Sequence, residues 1–464
     1  MKLEPGGRIV ESARESFPPM AKLFGTDGIR GRANADPISA EMALRAGRAL
    51  AEVLGSKACN GVTIARDPRI SGPMLEGALA AGLSSAGVDV TLLGVLPTPG
   101  LAVMTVKLGA AAGVMITASH NPFQDNGLKF FGSDGYKFDD GLEARMEELL
   151  LDPEWTGTPA DQVGRVTHHS TAEELFTEHL ASAASGLDLA GIKIIMDCGH
   201  GAASAIAPEL FRTLGAEVIE LANSPDGLNI NEQCGAMHPE RAAAAVLEHR
   251  ARIGVSFDGD ADRVIFTDET GAIVSGDRIL ALVAIDLKQR GALSHDTLVA
   301  TVMSNAGLID TMRGHGITVE TTAVGDRHVI ERMREGGFVF GGENSGHLIF
   351  SNAATTGDGM LSALMVLGIM KRRATPLSEL ADVCTEWPSL LVNLKVPAKP
   401  ALDKLTKLQA FITEADKSFG TDGRQLVRYS GTETKIRVLV EHRDAATCKQ
   451  WIETFTQAIR EEIG

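Results

Sequence analysis

The sequence predicts an α/β protein: three successive domains with mixed or parallel sheets, followed by a smaller C-terminal α+β domain. Three observations lead to this fold class. The chain has 464 residues, too many for one ordinary core, and suits three or four domains of about 100–150 residues. It contains 50 glycines and only 5% aromatic residues, which is typical of sheets fed by many short turns. Short apolar runs also alternate with segments of helical periodicity along most of the chain.

The first predicted domain covers residues 22–165. Its strands are expected at Val62–Arg66 and Val114–Thr117, which are short apolar runs that end in polar loops. Its helices are expected at Ser39–Leu54 and Ser71–Ala86, where apolar residues recur with helical spacing. Each helix begins with a serine that can cap the first turn.

Two further domains, at 166–262 and 263–378, repeat this alternation. The second has predicted strands at Ile192–Asp197, Glu217–Leu221 and Ile253–Phe257. The third has predicted strands at Leu298–Met303, Ile317–Thr321 and Phe338–Phe340, with a helix at Gly307–Gly314. Repeated strand–helix–strand units favour parallel sheets, in which ligands bind at the loops that follow the strands.

The pattern changes after Pro376, and residues 379–464 are predicted to form the smaller α+β domain. Its expected elements are strands at Leu390–Val396, Gln425–Arg428 and Ile436–Val440, and helices near Lys404–Lys417 and at Ala445–Glu462. At the other end, residues 1–21 are expected to be a loose leader, because they lack the apolar stretch of a secretory signal.

Composition argues against several functional classes. A net charge of −16 with few aromatic residues is unsuited to nucleic-acid binding. The five cysteines are widely spaced and form no C-x-x-C pair, which favours a reducing compartment over disulfides or thiolate-bound metal. Apolar runs fall short of the ~20 residues that a membrane helix needs. We therefore expect a cytoplasmic protein that binds neither nucleic acid nor a membrane.

The segment Ser256–Arg263 predicts a metal site. It carries three aspartates within five residues, namely Asp258, Asp260 and Asp262. Carboxylates this close raise one another's pKa unless a cation joins them, and an all-oxygen set suits Mg²⁺ or Ca²⁺. An EF-hand is the competing interpretation, since Glu269 has the twelfth position, but Arg263 occupies the place that needs glycine. A solvated acidic turn is the remaining alternative.

Ser119 lies in the polar segment Thr117–Pro122, directly after a predicted buried strand. A serine there faces a cleft, but it needs a base, a metal or a lowered pKa to act as a nucleophile. Taken alone, Ser119 is more typical of a turn, because Asn121-Pro122 is itself a turn signal. A divalent metal and several arginines nearby favour phosphoryl transfer instead.

The segment Arg428–Arg437 predicts a phosphate cradle, with an ordinary hairpin turn as an equally good alternative. It combines two flanking arginines with hydroxyl groups and a glycine, namely Arg428, Ser430, Gly431, Thr432 and Arg437. In the segment Gly341–His347, Glu343 and Ser345 could bind sugar hydroxyls and His347 could assist proton transfer.

Together these segments resemble the α-D-phosphohexomutase family. The resemblance rests on T-A-S-H-N-P around Ser119, D-G-D-A-D-R at Asp258–Arg263 and R-Y-S-G-T-E from Arg428, and it extends from about residue 22 to the end. It is strongest to family members that act on glucosamine phosphates. The segments that indicate this are Phe24–Gly31, Asp125–Phe131, Thr301–Asn305 and Val324–Arg327. The motif E-N-S-G-H at Glu343–His347 and the triplet T-E-T from Thr432 depart from the usual E-Q-S-G-H and T-E-P.

The resemblance implies four domains around a central cleft and a phosphorylated Ser119. One Mg²⁺ per chain would be bound by the phosphoryl group and the three aspartates. Glu343 and Ser345 would bind the sugar, and the phosphate would lie at Arg428, Ser430, Gly431, Thr432 and Arg437.

The implied reaction interconverts glucosamine 6-phosphate and glucosamine 1-phosphate through a 1,6-bisphosphate, which supplies amino-sugar precursors of the cell wall. We expect Arg263 to stabilise the transferring group, Lys129 and His347 to be acid/base candidates, and Arg30 to belong to the catalytic set. The last domain is expected to close over the cleft, in a monomer or homodimer. Three alternatives remain. They are isomerisation of glucose or mannose phosphates, metal-dependent phosphatase activity, and non-catalytic sensing of sugar phosphates.

Overall fold

The structure, a computed structural model, describes residues 23–25, 27–151, 157–430 and 434–463. Within these residues the strands form four separate sheets of seven, five, four and three strands. The expected leader at 1–21 and two residues of the predicted phosphate cradle, Gly431 and Thr432, lie outside the described residues. Short 3₁₀ helices occur at Gly55–Asn60, Ala160–Gln162, Gly235–Met237, Ser294–Asp296 and Leu402–Lys404.

The first sheet has the strand order β1-β2-β6-β5-β3-β4-β7. Its strands are Phe24–Gly25 (β1), Gly28–Arg32 (β2), Val62–Arg66 (β3), Val90–Val95 (β4), Ala112–Ile116 (β5), Asp125–Gly132 (β6) and Val166–His168 (β7). Strands β5, β3, β4 and β7 are parallel, whereas β6, β2 and β1 each run antiparallel to their neighbour. The accompanying helices are Ala40–Leu54 (α1), Gly72–Ser85 (α2), Thr98–Lys107 (α3) and Asp140–Leu151 (α4).

One of the two predicted helix caps of this domain is confirmed and the other is wrong. The Ser39 side chain accepts a hydrogen bond from the Met42 amide at 3.2 Å, which caps α1. Ser71 precedes α2 but makes no capping bond, because its backbone is already helical. Its hydroxyl instead accepts a hydrogen bond from Asn126 at 2.8 Å, so it ties α2 to the start of β6.

The second and third sheets repeat the arrangement on a smaller scale, with orders β12-β11-β10-β8-β9 and β14-β13-β15-β16. The second-sheet elements are Ala172–Ala183 (α5), Lys193–Asp197 (β8), Ala207–Thr213 (α6), Glu217–Leu221 (β9), Glu240–His249 (α7), Ile253–Phe257 (β10), Val264–Asp268 (β11) and Ile273–Val274 (β12). The third-sheet elements are Gly276–Gln289 (α8), Thr297–Thr301 (β13), Ala306–Gly314 (α9), Thr318–Thr322 (β14), Asp326–Gly336 (α10), Phe340–Gly342 (β15), Leu348–Phe350 (β16), Gly359–Arg373 (α11) and Leu377–Ala381 (α12).

The fourth sheet is antiparallel, with β19 between β17 and β18. Its domain comprises Ser389–Lys395 (β17), Thr406–Phe419 (α13), Gly423–Tyr429 (β18), Lys435–His442 (β19) and Ala445–Ile463 (α14). Its side chains form a core of their own around Phe455 and Trp451. By contrast, one continuous core runs from Leu101 through Phe257 to Leu364 and joins the first three domains.

Sheet membership favours other positions for two of the expected domain boundaries. Strand β7, at Val166–His168, pairs with β4 of the first sheet, although residue 166 was expected to begin the second domain. Strands β11 and β12 lie in the second sheet, beyond its expected end at residue 262. The chain folds back beside β10 after the aspartate loop, so the strand that follows stays in the same sheet. We therefore propose boundaries after His168 and after Val274.

Four loops have the same setting, one in each sheet. The Ser119 loop joins β5 to β6, the aspartate loop joins β10 to β11, the Glu343 loop joins β15 to β16, and the Ser430 loop joins β18 to β19. In every case the two strands are antiparallel neighbours. Most of the predicted site residues therefore lie in these four connections, while Arg30, Lys129, Arg428 and Arg437 lie on strands.

Candidate active site

A cavity of about 690 Å³ receives residues from all four domains. Its lining includes Asp27, Arg30, His120, Asn121, Asp262, Arg263, Asp326, Glu343, His347, Arg428, Ser430 and Arg437. The central cleft that the family resemblance implied is therefore present, and it brings residues of the four loops together with Arg30 of the segment Phe24–Gly31.

Ser119 is fully buried, and its neighbours His120 and Asn121 line the cavity. Its hydroxyl donates a hydrogen bond to Asp258 Oδ2 over 2.6 Å. Its backbone has φ of +52°, in the left-handed region that residues other than glycine rarely adopt. The candidate carrier is thus in direct contact with the predicted metal ligands, in a backbone conformation that its surroundings must enforce.

Asp258, Asp260 and Asp262 are all buried, and each offers a carboxylate oxygen that lies within 4.8 Å of those of the other two. Burial, followed by the charges of Asp262 and Asp260, raises the pKa of Asp258 well above its usual value. Among the residues that the structure describes, Oδ1 of Asp260 has no hydrogen-bond partner. A divalent cation would reduce the repulsion between the three carboxylates and give the unpaired oxygen a partner. This donor set therefore fits Mg²⁺.

Lys129 lies beside the aspartates. Its ammonium group is 2.8 Å from Asp260 Oδ2, 3.3 Å from Asp262 Oδ2 and 3.1 Å from Asp27 Oδ2. Burial alone lowers the pKa of a lysine, but Asp260, Asp27 and Asp262 outweigh it and raise the pKa of Lys129. Lys129 was expected to be an acid/base candidate, but a raised pKa beside three carboxylates favours charge neutralisation over proton transfer.

Arg263 and Arg30 supply further positive charge to the cavity. The Arg263 amide donates to Asp258 Oδ1 at 3.1 Å, and its guanidinium lies 3.3 Å from His120 Nδ1. Arg30 pairs with Asp27. Burial, then Arg263 and Arg30, lowers the pKa of His120 to about 4. His120 is therefore neutral at physiological pH and can accept the hydrogen bond from Arg263 Nη1.

The Glu343 loop enters from the third domain. The Glu343 carboxylate lies in the cavity wall and accepts a hydrogen bond from the Gly325 amide at 3.0 Å. His347 is almost fully buried between Asp262, at 3.6 Å from Nδ1, and Asp326, at 3.5 Å from Nε2. The Gly357 amide also donates to Nε2 at 3.0 Å. These contacts favour an orienting role for His347 between the second and third domains. Ser345 lies on the same loop but does not line the cavity.

Arg428 and Arg437 lie directly opposite each other on β18 and β19, and both line the cavity together with Ser430. Burial and the charge of Arg437 lower the pKa of Arg428. Two guanidinium groups side by side on adjacent strands suit a doubly charged anion, so the predicted phosphate cradle is placed to receive a phosphate from the cavity.

Three charged residues at the cavity were not predicted from the sequence: Asp27 and Asp326 line it, and Lys137 pairs with both of them. Lys137 forms ion pairs with both Asp27 of the first domain and Asp326 of the third. Asp27 lies in the glycine-rich segment Phe24–Gly31 together with Arg30. A single carboxylate there belongs to no pattern that predicts a site. Asp326 begins α10, where an acidic residue is ordinary. Their role is visible only because the fold places them together.

Family models match nearly the whole chain. Phosphoglucomutase/phosphomannomutase α/β/α domains I, II and III match residues 21–155, 174–271 and 275–387, and the C-terminal domain of the same family matches 391–458. The chain belongs to this family of phosphohexomutases and is an isomerase that moves phosphoryl groups.

The most similar curated relatives include phosphoglucosamine mutases. Those from Citrifermentans bemidjiense and Symbiobacterium thermophilum are 47% and 48% identical, over 96% of this chain and 99% and 100% of their own. Among solved structures, a phosphoglucomutase/phosphomannomutase family protein from Burkholderia thailandensis superposes with a TM-score of 0.81 at 26% identity, over 95% of this chain and 97% of that chain.

A more distant structure shares the fold. The N-acetylphosphoglucosamine mutase of Aspergillus fumigatus, in complex with GlcNAc-6P and magnesium, has a TM-score of 0.68 at 20% identity, over 96% of this chain and 97% of that chain.

As expected from the sequence, no helix among the described residues is both long and apolar enough to span a membrane.

Proposed function

We propose that this chain interconverts glucosamine 6-phosphate and glucosamine 1-phosphate by way of phosphorylated Ser119 and a sugar 1,6-bisphosphate. The observation that carries the proposal is the 2.6 Å contact between the Ser119 hydroxyl and Asp258, next to a cavity with a second anion site at Arg428 and Arg437. A phosphatase needs one phosphate site. A mutase needs two, because its intermediate carries phosphate at both ends.

In the forward direction, the phosphoryl group moves from Ser119 Oγ to O1 of the bound glucosamine 6-phosphate. The proton of the O1 hydroxyl passes through a nearby base to Ser119 Oγ. Arg428 and Arg437 hold the phosphate that does not react through charge-assisted hydrogen bonds. The bisphosphate then turns within the cavity. The phosphoryl group on O6 moves to Ser119 Oγ, and O6 takes up the proton that Oγ gives up. Arg263 stabilises the charge of the transferring group in both steps.

Mg²⁺, one per chain, would be held by Asp258, Asp260 and Asp262 together with an oxygen of phosphorylated Ser119. When bound, it neutralises charge on the transferring phosphoryl group. Lys129 provides part of that positive charge from the protein itself, at 2.8 Å from Asp260. We further propose that the enzyme is cytoplasmic, that it is a monomer or homodimer, and that the bisphosphate serves as its activator.

The amino sugar is supported by the phosphoglucosamine mutases that match this chain at 47–48% identity over their whole length. A phosphoglucomutase or phosphomannomutase, whose substrates carry a hydroxyl at C2, is the second candidate, because the family models cover both activities. Asn344, which is exposed on the Glu343 loop and donates to the Met303 carbonyl at 3.2 Å, distinguishes this loop from the usual glucosamine form.

The test is turnover of the 6-phosphates of glucosamine, glucose and mannose with Mg²⁺ and glucose 1,6-bisphosphate, followed by ³¹P NMR. The expected result is a 1-phosphate product, with kcat/KM for glucosamine 6-phosphate at least tenfold above the other two. A higher kcat/KM for glucose or mannose 6-phosphate would refute the amino-sugar assignment. Inorganic phosphate as the main product would refute mutase activity.

A further inference from the structure

Two residues outside the predicted motifs bind the backbone of the Ser119 loop. We infer that Arg69 and Asn231 are positioning residues that fix Ser119 for phosphoryl transfer. This inference rests on the proposed function, because it concerns how the two residues position Ser119 as the carrier of the phosphoryl group. It assigns no chemistry to either residue.

Arg69 is fully buried, and each of its five N–H donors has an acceptor. Nε donates to Asp67 Oδ2 at 2.8 Å. The two terminal nitrogens donate to four main-chain carbonyls of the Ser119 loop. These are Ser119 and Asn121, both at 2.9 Å, Asp125 at 3.0 Å, and Pro122. The rigid guanidinium therefore sets the path of the whole loop, which a single flexible ammonium group cannot do.

The amide of Ser119 is fixed through the same ion pair. Asp67 Oδ2 accepts a hydrogen bond from the Thr117 hydroxyl at 2.7 Å, and the Thr117 oxygen accepts one from the Ser119 amide at 2.9 Å. Asp67 and Thr117 directly follow β3 and β5, which are parallel neighbours, so the sheet brings them together. Both the N–H and the C=O of Ser119 are thus connected to the Asp67–Arg69 pair.

Asn231, which belongs to the second domain, donates further hydrogen bonds to the Ser119 loop of the first domain. Its amide nitrogen donates to the carbonyls of Ser119 at 2.9 Å and of Asn121 at 3.1 Å, the same two that Arg69 binds. A Cβ atom on Gly259 of the aspartate loop would lie 2.8 Å from that nitrogen and 2.6 Å from the Ser119 carbonyl oxygen. The carrier loop and the aspartate loop therefore meet at Asn231.

This arrangement constrains the main chain of Ser119 and leaves its side chain to react. Among the described residues, Asp258 is the hydrogen-bond partner of the hydroxyl, whereas the donors from Arg69 and Asn231 go to backbone oxygens. The same Oγ must reach O1 in one half-reaction and O6 in the other, and a misplacement of about 1 Å can cost about 100-fold in rate. The left-handed backbone of Ser119 would relax if these donors were lost.

The experiment compares Asn231→Ala with Asn229→Ala, an asparagine of the same segment that bonds to the Ser224 carbonyl instead. Steady-state kinetics give kcat and KM, and intact-mass spectrometry follows phosphorylation of Ser119 by glucose 1,6-bisphosphate. For Asn231→Ala we expect kcat and the phosphorylation rate to fall together by about 10–100-fold, with KM changed less than threefold. Asn229→Ala should match the wild type.

Arg69→Lys is the second variant, and it should lose more activity than Asn231→Ala in the same two measurements. If Arg69→Lys fails to fold, Asn231→Ala still decides. Wild-type kcat and phosphorylation rate in Asn231→Ala, or equal losses in Asn229→Ala, would overturn the inference. A wild-type enzyme that neither isomerises sugar phosphates nor takes phosphate on Ser119 would instead overturn the proposed function.

Discussion

Replacing Lys129 by methionine should lower the free energy of unfolding of the metal-free protein. It should also increase the stability that the protein gains when Mg²⁺ binds. The ammonium group contacts three carboxylates, at 2.8 Å from Asp260, 3.3 Å from Asp262 and 3.1 Å from Asp27, and the side chain is 1% exposed. Methionine fills similar volume but leaves these carboxylates without that cation. The same nitrogen lies where it competes with a metal for Asp260, so its removal should tighten Mg²⁺ binding.

The magnitude follows from the burial. Removing one partner of a buried ion pair costs about 3–5 kcal/mol. Arg30 and Lys137 still contact Asp27 after the substitution, so the lower end applies. We expect a loss of about 3 kcal/mol in the free energy of unfolding, a factor of about 150 in the unfolding equilibrium.

The pH dependence has a definite sign. Although burial raises it, the pKa of Asp262 is held well below its usual value by Lys129, His347 and Arg263. Its stabilisation is therefore present above about pH 4 and is lost as the pH falls through the folded-state pKa. The pKa of Lys129 is raised, so its stabilisation is lost only as the pH rises beyond about 10. The deficit of the variant should be constant from about pH 5 to 9.

The assay is urea unfolding in EDTA and in saturating Mg²⁺, with Lys137→Met as the matched control. Lys137 pairs with Asp27 and Asp326 but contacts none of the three metal aspartates. Mg²⁺ should therefore restore more stability to Lys129→Met than to Lys137→Met. If Lys129→Met is as stable as the wild type in EDTA, or if Mg²⁺ restores both variants equally, the reasoning is refuted.

Three further predictions concern single residues. Ser119→Ala should end phosphate incorporation, measured by intact mass, and lower kcat by at least about 1000-fold, with only about 1 kcal/mol lost in stability; retained activity would contradict the carrier role. Arg437→Ala should raise KM for the sugar phosphate by about 10–100-fold, since a hydrogen bond to a charged group contributes about 1.5–3 kcal/mol; an unchanged KM would contradict phosphate binding there. His120 has a pKa of about 4 in the folded protein, so at pH 5 the unfolded chain binds a proton there that the folded protein does not. The free energy of unfolding should therefore fall by up to about 2 kcal/mol between pH 7.5 and pH 5. His120→Gln should lack this acid-sensitive part in urea unfolding, and an equal acid loss in both proteins would contradict it.

The sequence predicted those parts of the molecule whose signals are local. The strands Val62–Arg66, Glu217–Leu221 and Ile253–Phe257 have the predicted bounds, because each contains Val and Ile or Phe and is followed within two residues by a polar residue. The aspartate loop was recognisable because three like charges cannot share so short a segment without a cation.

The remainder depends on contacts between distant segments. Arg69 follows Asp67-Pro68 in what looks like an exposed charged turn, yet it is fully buried by the Ser119 loop about 50 residues later. Asn231 lies farther still along the chain. Neither residue has a sequence pattern that announces burial, since a buried charge is explained only by its partner. The antiparallel return of β11 was missed for a related reason, because strand direction is decided by pairing.

The way in which the fourth sheet is attached has a mechanical consequence. The backbone N–H and C=O of Trp387 are both hydrogen-bonded to Asn305 of the third domain. The carbonyl of the next residue, Pro388, accepts a hydrogen bond from the amide of His442 at the end of β19. Arg437 lies towards the other end, and the whole strand of eight residues spans about 24 Å. The sheet therefore acts as a lever: a rotation of only about 10° about Trp387 would displace the far tip by about 4 Å, more than the length of a hydrogen bond. We expect such a rotation to engage or release the phosphate that Arg428 and Arg437 are proposed to bind.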